Sequence, residues 1–360
     1  MKKKKNSSLT PVKNRAPGWL RGLNLFFVLL SLLALLAPYV NPNYFWPLAI
    51  LGLATPLLLL IHLIFVIFWS FRKKVYAIFS LVILIMSGST ISGLYGLAFA
   101  KKSAPEGLKV VTQNVRRLES YPNNNESLGP EAFQQHIAAL RPDVLFLQEF
   151  VATENQRRPY LERLKAEGLS HIVYAPERSS LLIAARYPLR SIQNHYYNNL
   201  VNGYQIAELQ LENRKINLVN VHLRSNQITG LTNQIADEGD LKEKETWQNI
   251  RQALAKYKAA TTMRTHQAEN IAQTLTSFRD PNIICGDFND ISQSYTYRQL
   301  KGKRKDAFLR KGRSWGSTYA GKIPGLRIDF ILYDPALQIQ SCYRGPAAFS
   351  DHHPVIAFFD

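Results

Sequence analysis

Two short motifs near the C-terminal end of the 360-residue chain carry residue types suited to hydrolytic chemistry: Gly286-Asp287-Phe288-Asn289-Asp290 and Ser350-Asp351-His352-His353-Pro354. Each adjoins an apolar run, which places it at the end of a strand. Asn114, after the run 109–113, and Glu149, after the run 144–148, end apolar segments in the same way. Carboxylate and amide oxygens gathered at strand ends are hard donors. They suit Mg²⁺ or Mn²⁺, ions that keep several waters and take one or two carboxylates directly. Zinc is disfavoured, because the chain has no HxxxH spacing and only two cysteines, Cys285 and Cys342. His352 and His353 would point to opposite sides of an extended segment, so only one of them can face a given site. An Asp after a strand is also an ordinary turn residue, so neither motif decides anything alone.

The elements that must position these residues are legible from hydrophobic pattern. Short apolar, β-branched runs predict strands over 108–113, 144–148, 181–185, 204–211, 216–222, 282–285, 327–332 and 355–359. Helical patterns fall at 130–140, 157–167, 247–257 and 264–278. The neighbouring runs 204–211 and 216–222, separated by Glu212-Asn213-Arg214-Lys215, read as a hairpin and argue for largely antiparallel sheets with helices outside. A polar stretch, 226–262, follows the His222 strand and reads as a solvated insertion, with a lid over substrate as the alternative. Cys285, inside an apolar strand, reads as a buried small residue.

Charge divides the chain. The first acidic residue is Glu106, and twelve Lys and Arg precede it, so of the formal +18 only +6 belongs to the remainder. Three apolar runs fill this acid-free region, roughly 23–40, 45–71 and 75–100, each long enough to cross a hydrocarbon core of about 30 Å. The reading is a basic tail (1–22), three transmembrane helices (23–100), a linker (101–106) and a soluble domain (107–360). His62, deep in the second run, reads as a neutral helix-packed histidine. Seven basic residues in the tail and three in Arg72-Lys73-Lys74, against none in the loop 38–44, place tail and turn in the cytoplasm. A multi-pass protein of the cell membrane results, with its domain extracytoplasmic (periplasmic in a Gram-negative cell). A single cleaved signal peptide is disfavoured by the length and repetition of the apolar region.

Six blocks, in this order, resemble the endonuclease/exonuclease/phosphatase superfamily, which includes DNase-like nucleases, inositol polyphosphate phosphatases and bacterial sphingomyelinases. They are 112–116 (Thr-Gln-Asn-Val-Arg), 143–149 (Asp-Val-Leu-Phe-Leu-Gln-Glu), 220–223 (Asn-Val-His-Leu), 286–289 (Gly-Asp-Phe-Asn), 327–330 (Arg-Ile-Asp-Phe) and 350–352 (Ser-Asp-His). The resemblance spans about residues 107–360. It implies an α/β fold, a four-layer α/β/β/α sandwich of two largely antiparallel sheets, here preceded by three transmembrane helices. It also implies that Glu149, Asn114 and Asp351 hold or surround Mg²⁺ or Mn²⁺, that Asp287 prepares the attacking water and that Asn289 positions it. His352 would stabilise phosphate charge or donate a proton, Asp329 would orient His352, and His222 would contact the phosphate or leaving group.

Such a set fits the charge flow of in-line phosphoester hydrolysis, in which a cation and an imidazolium meet developing negative charge while a carboxylate handles water. One departure is Arg116, where abasic-site endonucleases carry an Asp; it puts a second metal site in doubt. Asp290 and Asp143 read as structural residues, and His136, His171, His195, His266 and His353 match no motif. The expected function is a membrane-tethered, metal-dependent phosphoesterase acting on a nucleic acid, a phospholipid head group or a small phosphate ester. The alternative is a non-catalytic, membrane-anchored binding module that keeps the fold. No protein partner is inferable from the sequence.

Overall fold

In a computed structural model the chain is described over residues 18–72, 74–98, 106–119, 128–150, 154–175, 180–197, 201–227, 239–240, 242–321 and 325–360. Most of the basic tail, Lys73, linker residues 101–105 and residues 228–238 and 241 of the polar insertion lie outside the described residues. Among the described residues fourteen strands follow in chain order: β1 (Tyr95–Leu97), β2 (Leu108–Asn114), β3 (Val144–Gln148), β4 (His171–Tyr174), β5 (Leu182–Ala185), β6 (Leu189–Tyr196) and β7 (Gly203–Leu211). They continue as β8 (Arg214–His222), β9 (Asn282–Asp287), β10 (Lys305–Asp306), β11 (Gly312–Trp315), β12 (Asp329–Tyr333), β13 (Ile339–Arg344) and β14 (Val355–Phe359).

An eight-stranded sheet has the order β1-β11-β13-β14-β2-β3-β5-β4, and a six-stranded sheet the order β10-β12-β9-β8-β7-β6. Among the described strands β11/β13, β2/β3 and β8/β9 pair in parallel and the others antiparallel, so the sheets are mixed and mostly antiparallel. Three apolar clusters define the layers. One lies between the sheets, joining Val110, Phe146 and Ile183 to Leu218, Ile283 and Ile331. A second seats Phe133, Ile137 and Leu164 of helices Pro130–Leu140 and Glu154–Ala166 on the larger sheet. The third seats Ala268, Ile271 and Leu275 on the smaller sheet. Strands covered on both faces need continuous apolar runs, which is what β3 and β9 present.

Strand register alone assembles much of the site. In β8/β9 His222 is opposite Asp287, and in β9/β12 Asp287 is opposite Asp329. In β2/β3 Asn114 is opposite Gln148, one residue before Glu149. Val355 of β14 is opposite Thr112 of β2, which brings the preceding turn 350–352 to the end of β2. Below this rim Asn220 of β8 crosses between the sheets. It donates to Leu147 O (2.9 Å) and Leu182 O (3.0 Å) and accepts from Gln148 Nε2 (2.7 Å). A wholly buried amide with every partner supplied fixes the stacking of one sheet on the other.

The acid-free region forms a helical bundle, though not three straight rods. Helix Gly18–Leu36 is long and apolar enough to cross a membrane by itself, about 28 Å at 1.5 Å per residue. The second apolar run breaks at Ala54 into Pro47–Leu53 and Thr55–Ser70, bent by 58°. The third breaks at Ser87, where Val75–Met86 meets Gly88–Leu94 at 63°. Pro56 at the start of Thr55–Ser70 has no N–H to give to the preceding turn, which fits the first break. The end of the third run is not helical at all, since Tyr95–Leu97 is strand β1, paired with β11. His62 is helix-packed as expected, between Ser31 Oγ (2.9 Å) and Ser80 Oγ (3.1 Å), and Ser80 donates to Asn24 Oδ1 (2.9 Å).

The bundle end formed by residues 38–54 and 88–94 packs on the smaller sheet's side of the domain. Asn41 donates to Glu269 (2.9 Å), Tyr257 to Ala49 O (3.1 Å) and Gln293 to Thr90 (2.8 Å). The two predicted helices at 247–257 and 264–278 are one 31-residue helix, Lys244–Thr274, so half of the polar insertion is helix.

Candidate active site

Asp287 is the centre of the crevice. It closes β9 directly after Gly286, whose φ is 139° and on which a Cβ would lie 1.9 Å from Val221 O. Only glycine lets β9 approach β8 this closely. The Asp287 carboxylate is buried, and its Oδ2 accepts from Asn114 Nδ2 and Asn289 Nδ2, both at 3.0 Å. His222 Nε2 lies 3.8 Å and His352 Nε2 4.0 Å from that same oxygen. Oδ1 takes the Asn289 backbone N–H at 2.8 Å, a bond that holds Asn289 at φ 51°. Asn289 donates also to Leu223 O (3.0 Å).

His352 is oriented by Asp329, whose oxygens lie 2.9 and 3.2 Å from Nδ1 and accept its hydrogen. Nε2 is thereby left facing Asp287. Thr318 accepts from the N–H groups of Ile328 and Asp329 through its hydroxyl (both 3.0 Å) and from His353 N through its carbonyl (2.7 Å). Ser350 donates to Asn114 O (2.7 Å) and accepts from His352 N (3.0 Å), tying the histidine turn to β2. Gln113 reaches His352 O (3.3 Å) and is itself held by His136 Nε2 (2.8 Å). Burial brings His136 down to about 4, which keeps it a neutral donor.

Glu149 occupies the other wall at φ 50°, a conformation that costs an L-residue of order 1 kcal/mol and recurs at functional positions. Asn114 donates to its Oε1 (3.3 Å), and His222 Nε2 stands 3.4 Å away. His222 Nδ1 donates to Val201 O (3.1 Å), so Nε2 is the nitrogen aimed into the crevice; it is buried and has no well-formed hydrogen bond among the described residues. Asp351 stands at the rim, with Arg116 Nε 3.7 Å away.

The electrostatics are those of a cluster of acids and imidazoles held out of water. Burial, followed by the neighbouring Asp329, pushes Asp287 up to about 6 against the pull of His352 and His222. Burial opposes the His352 imidazolium, but Asp329 and Asp287 outweigh it and hold that histidine up at about 10. Burial also opposes ionisation of Glu149, yet the His222 imidazole 3.4 Å away and the Asn114 amide bring it down to about 2. Asp351 is raised, first by burial and in part by Glu149. Glu149 and Asp351, two carboxylates that repel one another, offer hard oxygens of the kind that suit a divalent cation, while Asn114 turns its Nδ2 to Glu149 and Asp287 and its Oδ1 to Arg116 N (2.9 Å). Asp287, Asp329 and His352 also offer ligand atoms within 4.8 Å of one another. There, however, both Asp329 oxygens are engaged with His352 Nδ1.

The fold brings all eight sequence-predicted residues to one crevice. Asp290 is set apart by its pairing with the buried Arg264 (3.2 Å), and Asp143 by accepting from Lys109 N (2.8 Å). His353 turns away and donates to Gly345 O (2.9 Å), while His195 stacks on Tyr204. Thr318, Gln113 and the linking role of Ser350 were not anticipated. Asn220 had a signal, an amide set between Val219 and Val221 in the buried half of β8.

The family model for the Endonuclease/Exonuclease/phosphatase family matches residues 111–352, and the chain belongs to that family. A second model, described only as a domain of unknown function, matches residues 18–94. Among solved structures the chain is similar to an endonuclease/exonuclease/phosphatase from Beutenbergia cavernae DSM 12333, at 14% identity over 70% of this chain and 71% of that one, with a TM-score of 0.47. It is similar also to beta toxin from Staphylococcus aureus (14% identity, 70% and 99% covered, TM-score 0.47). A third is D. rerio TDP2 complexed with a single-strand DNA product (17% identity, 70% and 98% covered, TM-score 0.47). No curated protein matches the chain.

Proposed function

We propose that this chain is a membrane-tethered, divalent-metal-dependent phosphoesterase. The observation that carries the reading is Asp287 Oδ2, a buried carboxylate oxygen ringed by Asn114 and Asn289 at 3.0 Å and by the Nε2 atoms of His222 and His352 at 3.8 and 4.0 Å. A water bonded to Asp287 lies between two imidazoles, one of them cationic and fixed by Asp329. Asp287 takes the water's proton as it attacks phosphorus in line with the leaving oxygen. His352, protonated on both nitrogens, faces the nonbridging oxygens or delivers a proton to the leaving group, and His222 supports the opposite side of the phosphate. Glu149, Asp351 and Asn114 would hold Mg²⁺ or Mn²⁺, which when bound supplies Lewis-acid stabilisation of the phosphate charge.

Tethering is supported by the 19-residue apolar helix Gly18–Leu36 and by the two bent apolar pairs. The connections 38–46 and 88–94 meet the domain, whereas the turn bearing Arg72 lies at the far end of Thr55–Ser70. That arrangement agrees with three crossings, a cytoplasmic N-terminus and an extracytoplasmic domain. The substrate is a phosphoester of a nucleic acid, a phospholipid head group or a small molecule. Docking of the bundle at Gln293, three residues beyond the Gly286–Asp290 loop, favours esters presented at a bilayer surface.

The test is hydrolysis of bis-p-nitrophenyl phosphate by the full chain in detergent, across a Mg²⁺ and Mn²⁺ series, with Asp287→Asn and His352→Asn as controls. Wild-type turnover that needs the metal and vanishes in both variants is expected. Equal, background-level rates for all three on this ester and on DNA, RNA, sphingomyelin and inositol phosphates would leave the non-catalytic binding module as the correct reading.

A further inference from the structure

A cavity of about 600 Å³ lies where the helical bundle meets the domain. Tyr39, three residues beyond the end of Gly18–Leu36, and Ser89, three beyond Met86, form its bundle side. The domain side is Gln293 with Arg298 and Lys301, both from the last turn of helix Tyr295–Lys301. Among the described residues no acidic side chain lines the cavity, and neither cation has a carboxylate within ion-pair distance. The Arg298 guanidinium lies 4.0 Å from the centre of the Tyr39 ring, a cation–π contact that joins the two sides of the cavity.

The position of this cavity matters as much as its charge. Helices Gly18–Leu36 and Lys74–Met86 pack side by side, and Leu36, Ile85 and Met86 at their ends are 48%, 69% and 55% exposed. An apolar surface of that kind runs up to the same level as the cavity. Two cations, hydroxyls and an amide above exposed aliphatic side chains match a molecule with an anionic phosphate head and hydrocarbon tails. Aromatic residues that favour membrane–water interfaces stand nearby, Tyr39 and Tyr44 at 62% and 87% exposure.

We infer that the cavity is a binding site for the phosphate head group of an anionic phospholipid, separate from the crevice around Asp287; the inference rests on the membrane-spanning reading of the bundle. Such a lipid would brace the junction at Gln293, which bonds Thr90 of the bundle and follows the Gly286–Asp290 loop by three residues.

Native mass spectrometry of the full chain in detergent tests the site, with short-chain phosphatidylglycerol, phosphatidylcholine of the same chain length and inorganic phosphate as separate probes. Phosphatidylglycerol is expected to be retained in preference to phosphatidylcholine. Arg298→Gln and Lys301→Gln should each weaken it about 5-fold and the double variant about 30-fold, the scale of roughly 1 kcal/mol per cation near an anionic surface. Ser89→Trp, which narrows the cavity without touching its charge, should weaken it too, and Arg158→Gln, an exposed cation elsewhere, should not. Equal retention of both lipids, an equal loss in Arg158→Gln, or unaltered binding in the double variant overturns the assignment. Inorganic phosphate bound as tightly as phosphatidylglycerol makes this a free-phosphate site and overturns the lipid. Alkaline carbonate extraction of membranes separates the two readings: release of the wild type removes the spanning bundle, while retention alongside failed lipid binding removes only the cavity site.

Discussion

Asn24, Ser31, His62 and Ser80 in the helical bundle are as deeply buried as His222, Asp287, Asp329 and His352 in the crevice, yet the two sets are arranged in opposite ways. In the bundle the polar groups run in a chain from Tyr76 O through Asn24, Ser80 and His62 to Ser31, with both imidazole nitrogens engaged. Groups of this kind hold helices together and have nothing left to offer a substrate. The crevice packs two carboxylates against two imidazoles, leaves His222 Nε2 without a well-formed bond and keeps Glu149 and Asn289 at positive φ. Buried polarity by itself therefore says little; an unspent donor beside a strained backbone distinguishes a reacting centre from a structural one.

The comparison is broken most directly at Asp287. Asp287→Asn is expected to lower kcat on a phosphodiester by about 10³-fold or more, because proton acceptance and water alignment are lost together. The melting temperature should change little, since loss of a charge that repels Asp329 offsets loss of an acceptor for Asn114 and Asn289 and of the charge beside His352. A melting point that falls in step with activity would return Asp287 to the structural class. Next in size, Asp329→Asn should cost about 10²–10³-fold in kcat with little change in KM, and it should add little to His352→Asn, because both act through one imidazole.

The pH profile sharpens the same contrast. Asp287 must be deprotonated to take a proton, so the rate should fall about tenfold per unit below about 6. His352 must stay protonated, so the rate should fall as pH rises through about 10. Asp329→Asn removes the charge that does most to raise His352 and should move the alkaline limb downward. A flat profile from 5 to 11 would show that neither group titrates in the rate-limiting step.

The bundle should respond in the other currency. His62→Leu strips partners from Ser31 and Ser80 and is expected to cost about 1–3 kcal/mol, read as a lower melting temperature, with kcat per folded molecule unchanged. Ser31→Ala removes one bond at the end of the chain, for about 0.6 kcal/mol if the bundle spans a bilayer as proposed. Loss of turnover in either variant at unchanged melting temperature would end the distinction.

Why the crevice was legible in the sequence follows from its construction. Asn114, Glu149, His222 and Asp287 each close or follow a strand buried on both faces, and such strands appear as short, mainly apolar runs. The central strands were found for the same reason. Others were not: the edge strand β6, largely exposed, and β13, half-buried between β11 and β14, have no apolar run to betray them, and the edge strand β10 is two residues long. The join of two predicted helices into Lys244–Thr274 was hidden because its first half is polar and packs only sparsely. Thr318 and Gln113 escaped notice because they act on backbone groups of partners far away in sequence, which no local spacing records.

Strand β1 has a practical meaning for handling this protein. Tyr95–Leu97 hydrogen-bonds along β11, so the edge of the larger sheet is capped by the chain segment that leads out of the bundle. A fragment cut at residue 103, inside the linker that the sequence places at 101–106, would strip that cap and bare the ladder groups of Gly312–Trp315, with Trp315 beside them 59% exposed. Bare edges recruit other chains. Starting the fragment at residue 93 keeps the cap, so a difference of ten residues decides between a monodisperse sample and a sticky one.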